Sequence, residues 1–139
     1  MKPKIEYINH TADIGLIVRA PELEQLFVYS AKGMFSLIAD TTSSTPDEIR
    51  KINVTAEDIV HLMHGWLSEL LFVHETEHII PIEYKISELT EQSLIAVIKG
   101  CTIQHGNIRL FREIKAVTMH NLEVKFNGTY WEAHVIFDI

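Results

Sequence analysis

The sequence predicts an α+β fold, a two-layer sandwich in which two amphipathic helices pack on one face of a mixed, largely antiparallel sheet. Apolar residues recur at steps of three and four in two separate segments, and each stripe needs an apolar surface to cover it. The segments around them are short, rich in β-branched residues and bounded by polar turns, as strands are. Each half of the chain holds one helix with its strands, a pattern that suggests an internal duplication.

The first half is predicted to form two strands, a helix, a polar loop and a third strand, at residues 5–8, 15–20, 21–38, 40–46 and 48–54. Pro21 is predicted at the first helical position, because a proline needs no N–H partner there. Glu22 and Glu24 follow it and favour the positive end of the helix dipole. The apolar stripe then continues to Ile38, where the helix is expected to end.

The second half is predicted to form a helix and four strands, at residues 55–76, 82–87, 93–101, 113–126 and 131–138. Thr55 and the acidic residues that follow it favour a capping box at the start of the helix. Pro81 is expected to block its continuation. Turns are predicted at residues 105–107 and 127–128, and a bend in the long third strand near His120 and Asn121.

Composition limits the class of protein. The 139 residues suit one domain, 1–139, and their net charge of −7 argues against a partner that is mainly a phosphate backbone. The single cysteine, Cys101, cannot form an internal disulfide and favours a reducing compartment. Neither a membrane-spanning apolar run nor a signal peptide is visible in the sequence, so we expect a cytoplasmic protein with no membrane partner.

One motif points to zinc. Residues 74–78 match H-E-x-x-H, in which two histidines of a helix bind zinc and the glutamate activates water. The pattern leaves open a zinc-dependent hydrolase that uses His74 and His78. The context favours a pair of histidines in the last helical turn, since Pro81 follows closely and no spacing announces a third ligand. His61 and His64 are interpreted as surface or boundary residues.

A second candidate site is built from carboxylates. Asp13 lies in a polar loop between two predicted strands, Asp138 ends the last strand, and Ile139 carries the α-carboxylate. Oxygen ligands of this kind suit a hard cation, provided that the two segments meet in the fold. The alternative is that Asp13 makes a turn or cap hydrogen bond and Asp138 is solvated. Lys115, within a β-rich run, is expected on a solvent face or a sheet edge.

Six short segments, spread in order over nearly the whole chain, match a known family. They are HTADIG at 10–15, LEQLF at 23–27, GMF at 33–35, WLSELL at 66–71, IKAVTMH at 114–120 and FDI at 137–139. In these segments the chain resembles the archease family. Each motif has modest specificity, whereas their ordered combination is specific. Two positions depart from the family's pattern, where Gly65 replaces a common aspartate and Met119 a common tyrosine.

The resemblance implies a cytosolic accessory protein of the RtcB-type tRNA-splicing RNA ligase that promotes ligase guanylylation and multiple turnover and is not itself an enzyme. It implies that Asp13, Asp138 and Ile139 hold a divalent cation, calcium or alternatively magnesium, with Lys115 as a functional polar residue nearby. An acidic protein suits a basic, RNA-handling partner, and direct sequence-specific binding of nucleic acid is not expected. A general chaperone or interaction module remains as a further alternative.

Overall fold

The structure is a computed structural model that describes residues 1–104 and 107–139. The helices and strands of this part are β1 (Lys4–Asn9), β2 (Asp13–Ala20), α1 (Leu23–Ile38), β3 (Ala39–Asp40), β4 (Glu48–Thr55), α2 (Ile59–Glu77), β5 (Ile79–Leu89), β6 (Ser93–Thr102), β7 (Arg109–Leu110), β8 (Ala116–Val117), β9 (Glu123–Phe126) and β10 (Trp131–Asp138). The turn predicted at residues 105–107 depends on His105 and Gly106, which lie outside the described residues.

The strands confirm the predicted α+β class, and they divide among separate sheets. The largest sheet has the order β1-β2-β10-β8, with β9 also paired to β10. A second sheet has the order β4-β6-β5, and β3 pairs with β7. Each described strand pair is antiparallel, so the architecture differs from the single mixed sheet that the sequence suggested.

Both helices contact both main sheets and close one hydrophobic core. Helix α1 lies against β1, β2 and β10 and also touches β5, whereas α2 lies against β4, β5 and β6 and reaches β8 and β9. Trp66 is fully buried, and its indole Nε1 donates a hydrogen bond of 2.9 Å to the backbone oxygen of Phe27. This contact joins α2 to α1 and satisfies the one polar atom of the ring.

Both predicted helix starts are wrong by two to four residues. Helix α1 begins at Leu23 after the N-cap Glu22, so Pro21 lies outside the helix, and the side chain of Gln25 accepts the backbone N–H of Glu22 at 3.3 Å. Thr55 does not cap α2, because it is the last residue of β4 and pairs there with Ser93. The N-cap of α2 is Asp58, whose carboxylate accepts the backbone N–H of His61 at 2.8 Å.

Strand boundaries also depart from the prediction around Pro81. Helix α2 ends at Glu77, His78 takes a left-handed conformation with φ of 57°, and β5 begins at the next residue. Pro81 therefore lies inside β5, which tolerates it because β5 is an edge strand with a register shift directly after that residue. The long strand predicted over 113–126 is two short strands, β8 and β9, with Asn121 at φ 50° in the predicted bend.

We expect Gly100→Ala to destabilise the protein, because an added Cβ would meet Ile79 and would come within 2.9 Å of the backbone oxygen of Ile80. Overpacking of this kind costs about 1–3 kcal/mol. Urea denaturation followed by far-UV circular dichroism measures the change. Gly15→Ala is the matched control, since its Cβ would meet Ile8 at an ordinary 3.5 Å. Equal stability of the two variants would contradict the packing argument.

Candidate functional site

The first and last segments of the candidate site meet in the largest sheet. Asp13 begins β2, Asp138 ends β10, and the register of these neighbouring strands places the two aspartates directly opposite each other. The backbone N–H of Ile139 donates to the carbonyl of Ala12 at 3.2 Å, which extends the pairing by one residue. The fold thus brings together the two segments that the carboxylate site requires.

The hydrogen-bond pattern brings the two aspartate side chains close together. The carbonyl of Asp13 points away from β10 and accepts the N–H of His10 at 3.0 Å. The hydrogen bond between β2 and the end of β10 is made instead by the next residue pair, Ala12 and Ile139. Asp13 and Asp138 are therefore a non-hydrogen-bonded pair, in which Cβ atoms lie about 4.5–5.5 Å apart. Like charges placed opposite each other repel, so this position favours a bound cation.

The aspartate pair lies on the solvent-facing side of the sheet. The adjacent residues Ile14 and Phe137 are buried in the core, and side chains alternate between the two faces of a strand. We call this side the outer face of the sheet. Asp13 is half-buried and Asp138 is exposed, so a ligand reaches the carboxylates without any rearrangement of the core.

Lys115 contacts the site through its backbone. Its N–H donates to the carbonyl of Asp138 at 2.8 Å, and this bond anchors the segment before β8 beside the end of β10. The exposed side chain lines a cavity of about 800 Å³ together with His74, His78 and Glu113. The lysine thus lies at a sheet edge, as the sequence predicted, with its side chain in a large open cavity.

Three polar residues beside Asp13 were not assigned to the site from the sequence. A cavity of about 200 Å³ on the outer face is lined by Asp13, His10, Asn121 and His134, among others. His134 is four residues before Asp138, so the alternation of β10 could have placed it on the same face. His10 and Asn121 belong to loops, and their positions follow from strand pairing that a local pattern does not encode.

Comparison with known proteins gives a consistent result over the whole chain. The model of the Archease protein family (MTH1598/TM1083) matches residues 5–139. The chain belongs to the archease family. Protein archease of Methanosarcina acetivorans is 34% identical over 98% of this chain and 96% of its own length. Protein archease of Methanothermobacter thermautotrophicus is 35% identical over 96% of this chain and 97% of its own length.

Solved structures of similar proteins agree with the fold. The solution structure of Methanobacterium thermoautotrophicum protein 1598 has a TM-score of 0.80 and 35% identity, over 97% of this chain and 98% of its own. The crystal structure of a Thermotoga maritima archease, named a possible chaperone, has a TM-score of 0.65 and 19% identity, over 95% and 94% of the two chains. The second likeness is one of fold alone.

No helix in the described part of the chain has the length and apolar character that crossing a bilayer requires.

Gly65, which departs from the family's pattern, has a structural reason to be glycine, because a Cβ there would approach Cγ1 of Val54 to 2.8 Å. The glycine lets α2 pack closely against β4. This close packing offsets the cost of a glycine inside a helix.

A second acidic group lies at the start of α2. Glu57, Asp58 and His61 are all exposed and lie close enough together to hold a metal ion. The ring of His61 contacts the carboxylate of Asp58 at 2.8 Å and that of Glu57 at 3.4 Å. The hydrogen bond to Asp58 raises the pKa of His61, so an incoming metal would have to compete with a proton.

The H-E-x-x-H motif does not form a zinc site with a third ligand in the described part of the chain. In that part of the chain, the side chains that lie close enough together to supply three metal ligands are those of Glu57, Asp58 and His61. Neither His74 nor His78 belongs to this group. Nδ1 of His74 lies 3.1 Å from the carbonyl of Ile79, and His78 caps the helix in the left-handed conformation. His74 lies in the last turn, as the sequence predicted.

His64 is a boundary residue, as predicted. Its Nε2 donates to the carbonyl of Val117 at 2.9 Å and ties α2 to β8, the strand beside Asp138. The short strand β8 has two residues, so this helix contact supplies a second anchor for it. The position of Lys115 next to the aspartates therefore depends on α2 as well as on the sheet.

We expect His74→Gln to flatten the pH dependence of stability in the acid range. Burial lowers the pKa of His74 in the folded state, so the unfolded chain binds a proton first as the pH falls. The contribution of neutral His74 is present above its unfolded pKa, about 6.5, and is lost below it. The free energy of unfolding, measured with urea at several pH values, should fall less steeply in the variant.

His61→Gln is the control, because its contribution has the opposite sign. Asp58 raises the pKa of His61, so its stabilising effect is present at low pH and is lost as the pH rises through that raised pKa. If the stability of the wild type and of His74→Gln changed equally between about pH 7.5 and about pH 5, the half-buried imidazole of His74 would not have a lowered pKa, and the assignment would be wrong.

Proposed function

We propose that this chain is an accessory protein, not itself an enzyme, that activates an RtcB-type tRNA-splicing RNA ligase in the cytoplasm. It would promote guanylylation of the ligase and multiple turnover, with a divalent cation held by Asp13, Asp138 and the α-carboxylate of Ile139. The observation that carries the proposal is the pairing of the two aspartates across β2 and β10. Membership of the archease family supports the class of function.

The donor set fits a hard divalent cation. Asp13 and Asp138 offer carboxylate oxygens, and Ile139 is held beside them by the bond from its N–H to Ala12. Calcium accepts six to eight oxygen ligands and magnesium six, so positions remain for water or for oxygen atoms of a partner. When bound, the cation would neutralise the facing carboxylates and supply a Lewis-acidic centre at the edge of the sheet.

The rest of the chain would position this centre. Lys115 and Ile139 both donate backbone hydrogen bonds at the end of β10, which hold Asp138 in register with Asp13. Because the net charge is −7, the surface attracts a basic partner and disfavours free RNA. The accessory role therefore needs a protein partner that carries the catalytic groups.

We expect Asp13→Asn and Asp138→Asn each to weaken calcium binding by roughly 10- to 100-fold, since each removes one charged ligand. Isothermal titration calorimetry with Ca²⁺ measures the affinity, and a parallel titration with Mg²⁺ identifies the preferred ion. Asp58→Asn is the matched control, because it removes a carboxylate from the other acidic group. Loss of binding in Asp58→Asn alone would place the cation at α2 instead.

We expect the wild-type protein to accelerate guanylylation of a purified RtcB-type ligase, and Asp13→Asn to lose most of that stimulation. Lys115→Ala should reduce it as well, because this exposed side chain is anchored next to the end of β10 by its backbone bond to Asp138 and is free to contact the ligase. Incorporation of labelled GMP into the ligase measures the rate. Glu91→Gln, in the exposed turn between β5 and β6, serves as the control. Full stimulation by Asp13→Asn would exclude a role for the carboxylate pair.

A second candidate function is that of a general chaperone, which the name of the Thermotoga maritima structure suggests for that protein. It predicts suppression of aggregation of several unrelated unfolded clients, with no dependence on Asp13. Light scattering of a heated client protein, with wild type and Asp13→Asn compared, separates this function from ligase activation.

A further inference from the structure

Gly15 has no packing or backbone reason to be glycine. Among the other described glycines, a Cβ at Gly33 or Gly65 would approach a neighbouring side chain to 2.8 Å, one at Gly100 would meet Ile79 and the backbone of Ile80, and Gly128 has a φ of 97°. A Cβ at Gly15 would make only ordinary contacts with Ile8, at 3.5 and 3.7 Å. A glycine inside a strand weakens it and often marks a place where another molecule approaches closely.

The missing side chain leaves a depression on the outer face of the sheet. The register places Ile8 on one side of Gly15 and Ile136 on the other, with Ile17 two residues further along β2. These residues and Asp13 line the cavity of about 200 Å³ described above, which we call the Gly15 cavity. Its lining is largely aliphatic, with Ile8 exposed and Ile17 and Ile136 half-buried.

Polar groups from three separate elements surround this aliphatic lining. His10 comes from the loop before β2, Asn121 from the bend before β9 and His134 from β10. His134 is held in place, since its Nε2 lies 2.7 Å from a carboxylate oxygen of Glu132. An apolar pocket with a few convergent polar groups is the usual form of a recognition site.

The surroundings of the Gly15 cavity are anionic. Glu6, Asp13 and Asp138 lie on the same face, and none of them makes an ion pair within the described part of the chain. The ion pairs on this face occupy other acids, Glu132 with Arg19 and Glu123 with Lys125. Lys4 also faces outward on β1, and a divalent cation would neutralise the aspartate pair. The chain, with its net charge of −7, stays acidic with that cation bound, so a basic partner is favoured on this face.

We propose that the Gly15 cavity is an anchor pocket that takes one large apolar side chain from a basic segment of a protein partner. At about 200 Å³ the cavity is smaller than the ~300–1,000 Å³ typical of small-molecule sites, and its size suits a single ring. Protein interfaces depend on such anchors, buried in a pocket and surrounded by polar groups. The inference rests on the proposed function, because it supplies the contact that holds a basic partner beside Asp13 and Asp138.

The decisive variant is Gly15→Val, which fills the pocket. Its side chain fits the strand, because β-branched residues favour this conformation and the nearest contacts of the new Cβ are ordinary. The probe is the peptide acetyl-Arg-Lys-Phe-Lys-Arg-amide, followed by ¹H–¹⁵N correlation spectra. We expect shifts centred on Gly15, Ile17 and Ile136, and binding weakened about tenfold in Gly15→Val.

Matched controls separate the anchor from the charge. Replacing the phenylalanine of the probe by alanine should weaken binding about as much as Gly15→Val, and an acidic probe with glutamates should not bind. Asn53→Val adds the same side chain to the exposed face of β4 in the other sheet and should leave binding unchanged. Ile136→Ala, which opens one wall of the pocket, is the second variant and should also weaken binding.

Each outcome decides a separate question. Probe binding by Gly15→Val with wild-type affinity, or shifts centred on the cavity beside Lys115, would overturn the anchor pocket. Displacement of the probe by GMP with shifts at the same residues would assign the pocket to a nucleotide and would also overturn it. Gly15→Val should bind calcium as the wild type does, whereas failure of the wild type to stimulate the ligase would remove the proposed function and leave the peptide result standing.

Discussion

The pairing of β2 with β10 is the constraint on which the rest of the structure depends. The last strand of the chain lies between β2 on one side and β8 and β9 on the other, so the C-terminal residues lie within the sheet instead of at its edge. A shift of one residue in this register would turn Phe137 to solvent and Asp138 to the core. The fully buried Phe137 therefore fixes the position of Asp138 opposite Asp13.

The two faces of this sheet have separate roles. The inner face carries Leu16, Val18, Val135 and Phe137, which the helices bury, and it contributes stability. The outer face carries the aspartate pair, the Gly15 cavity and His134, none of which belongs to the hydrophobic core. The proposed function and the stability of the fold thus depend on alternate positions of the same strands, so substitutions at the outer positions should leave the fold intact.

Local signals in the sequence were reliable where one element decides the outcome. The apolar stripes located both helices, and the alternation of apolar and polar residues in 131–138 agrees with the burial of Ala133, Val135 and Phe137 in β10, whereas Trp131 is only partly buried. The errors occurred at boundaries, where several residues compete for one role. Thr55 and Asp58 are both good N-cap residues. Thr55 pairs with Ser93 in the ladder between β4 and β6, so the N-cap of α2 is Asp58. Pro81 was expected to interrupt structure, yet an edge strand accommodates it.

The sequence by itself determined the α+β class, the faces of the strands and the identity of the acidic residues, because periodicity and side-chain chemistry are local properties. Only the tertiary structure decided that Asp13 and Asp138 face each other and that Gly15 leaves a cavity between Ile8 and Ile136. Which strands become neighbours, and in which register, depends on how helices and sheets bury their apolar faces together. That choice is made by contacts between residues far apart in the chain, and no short segment of the sequence contains it.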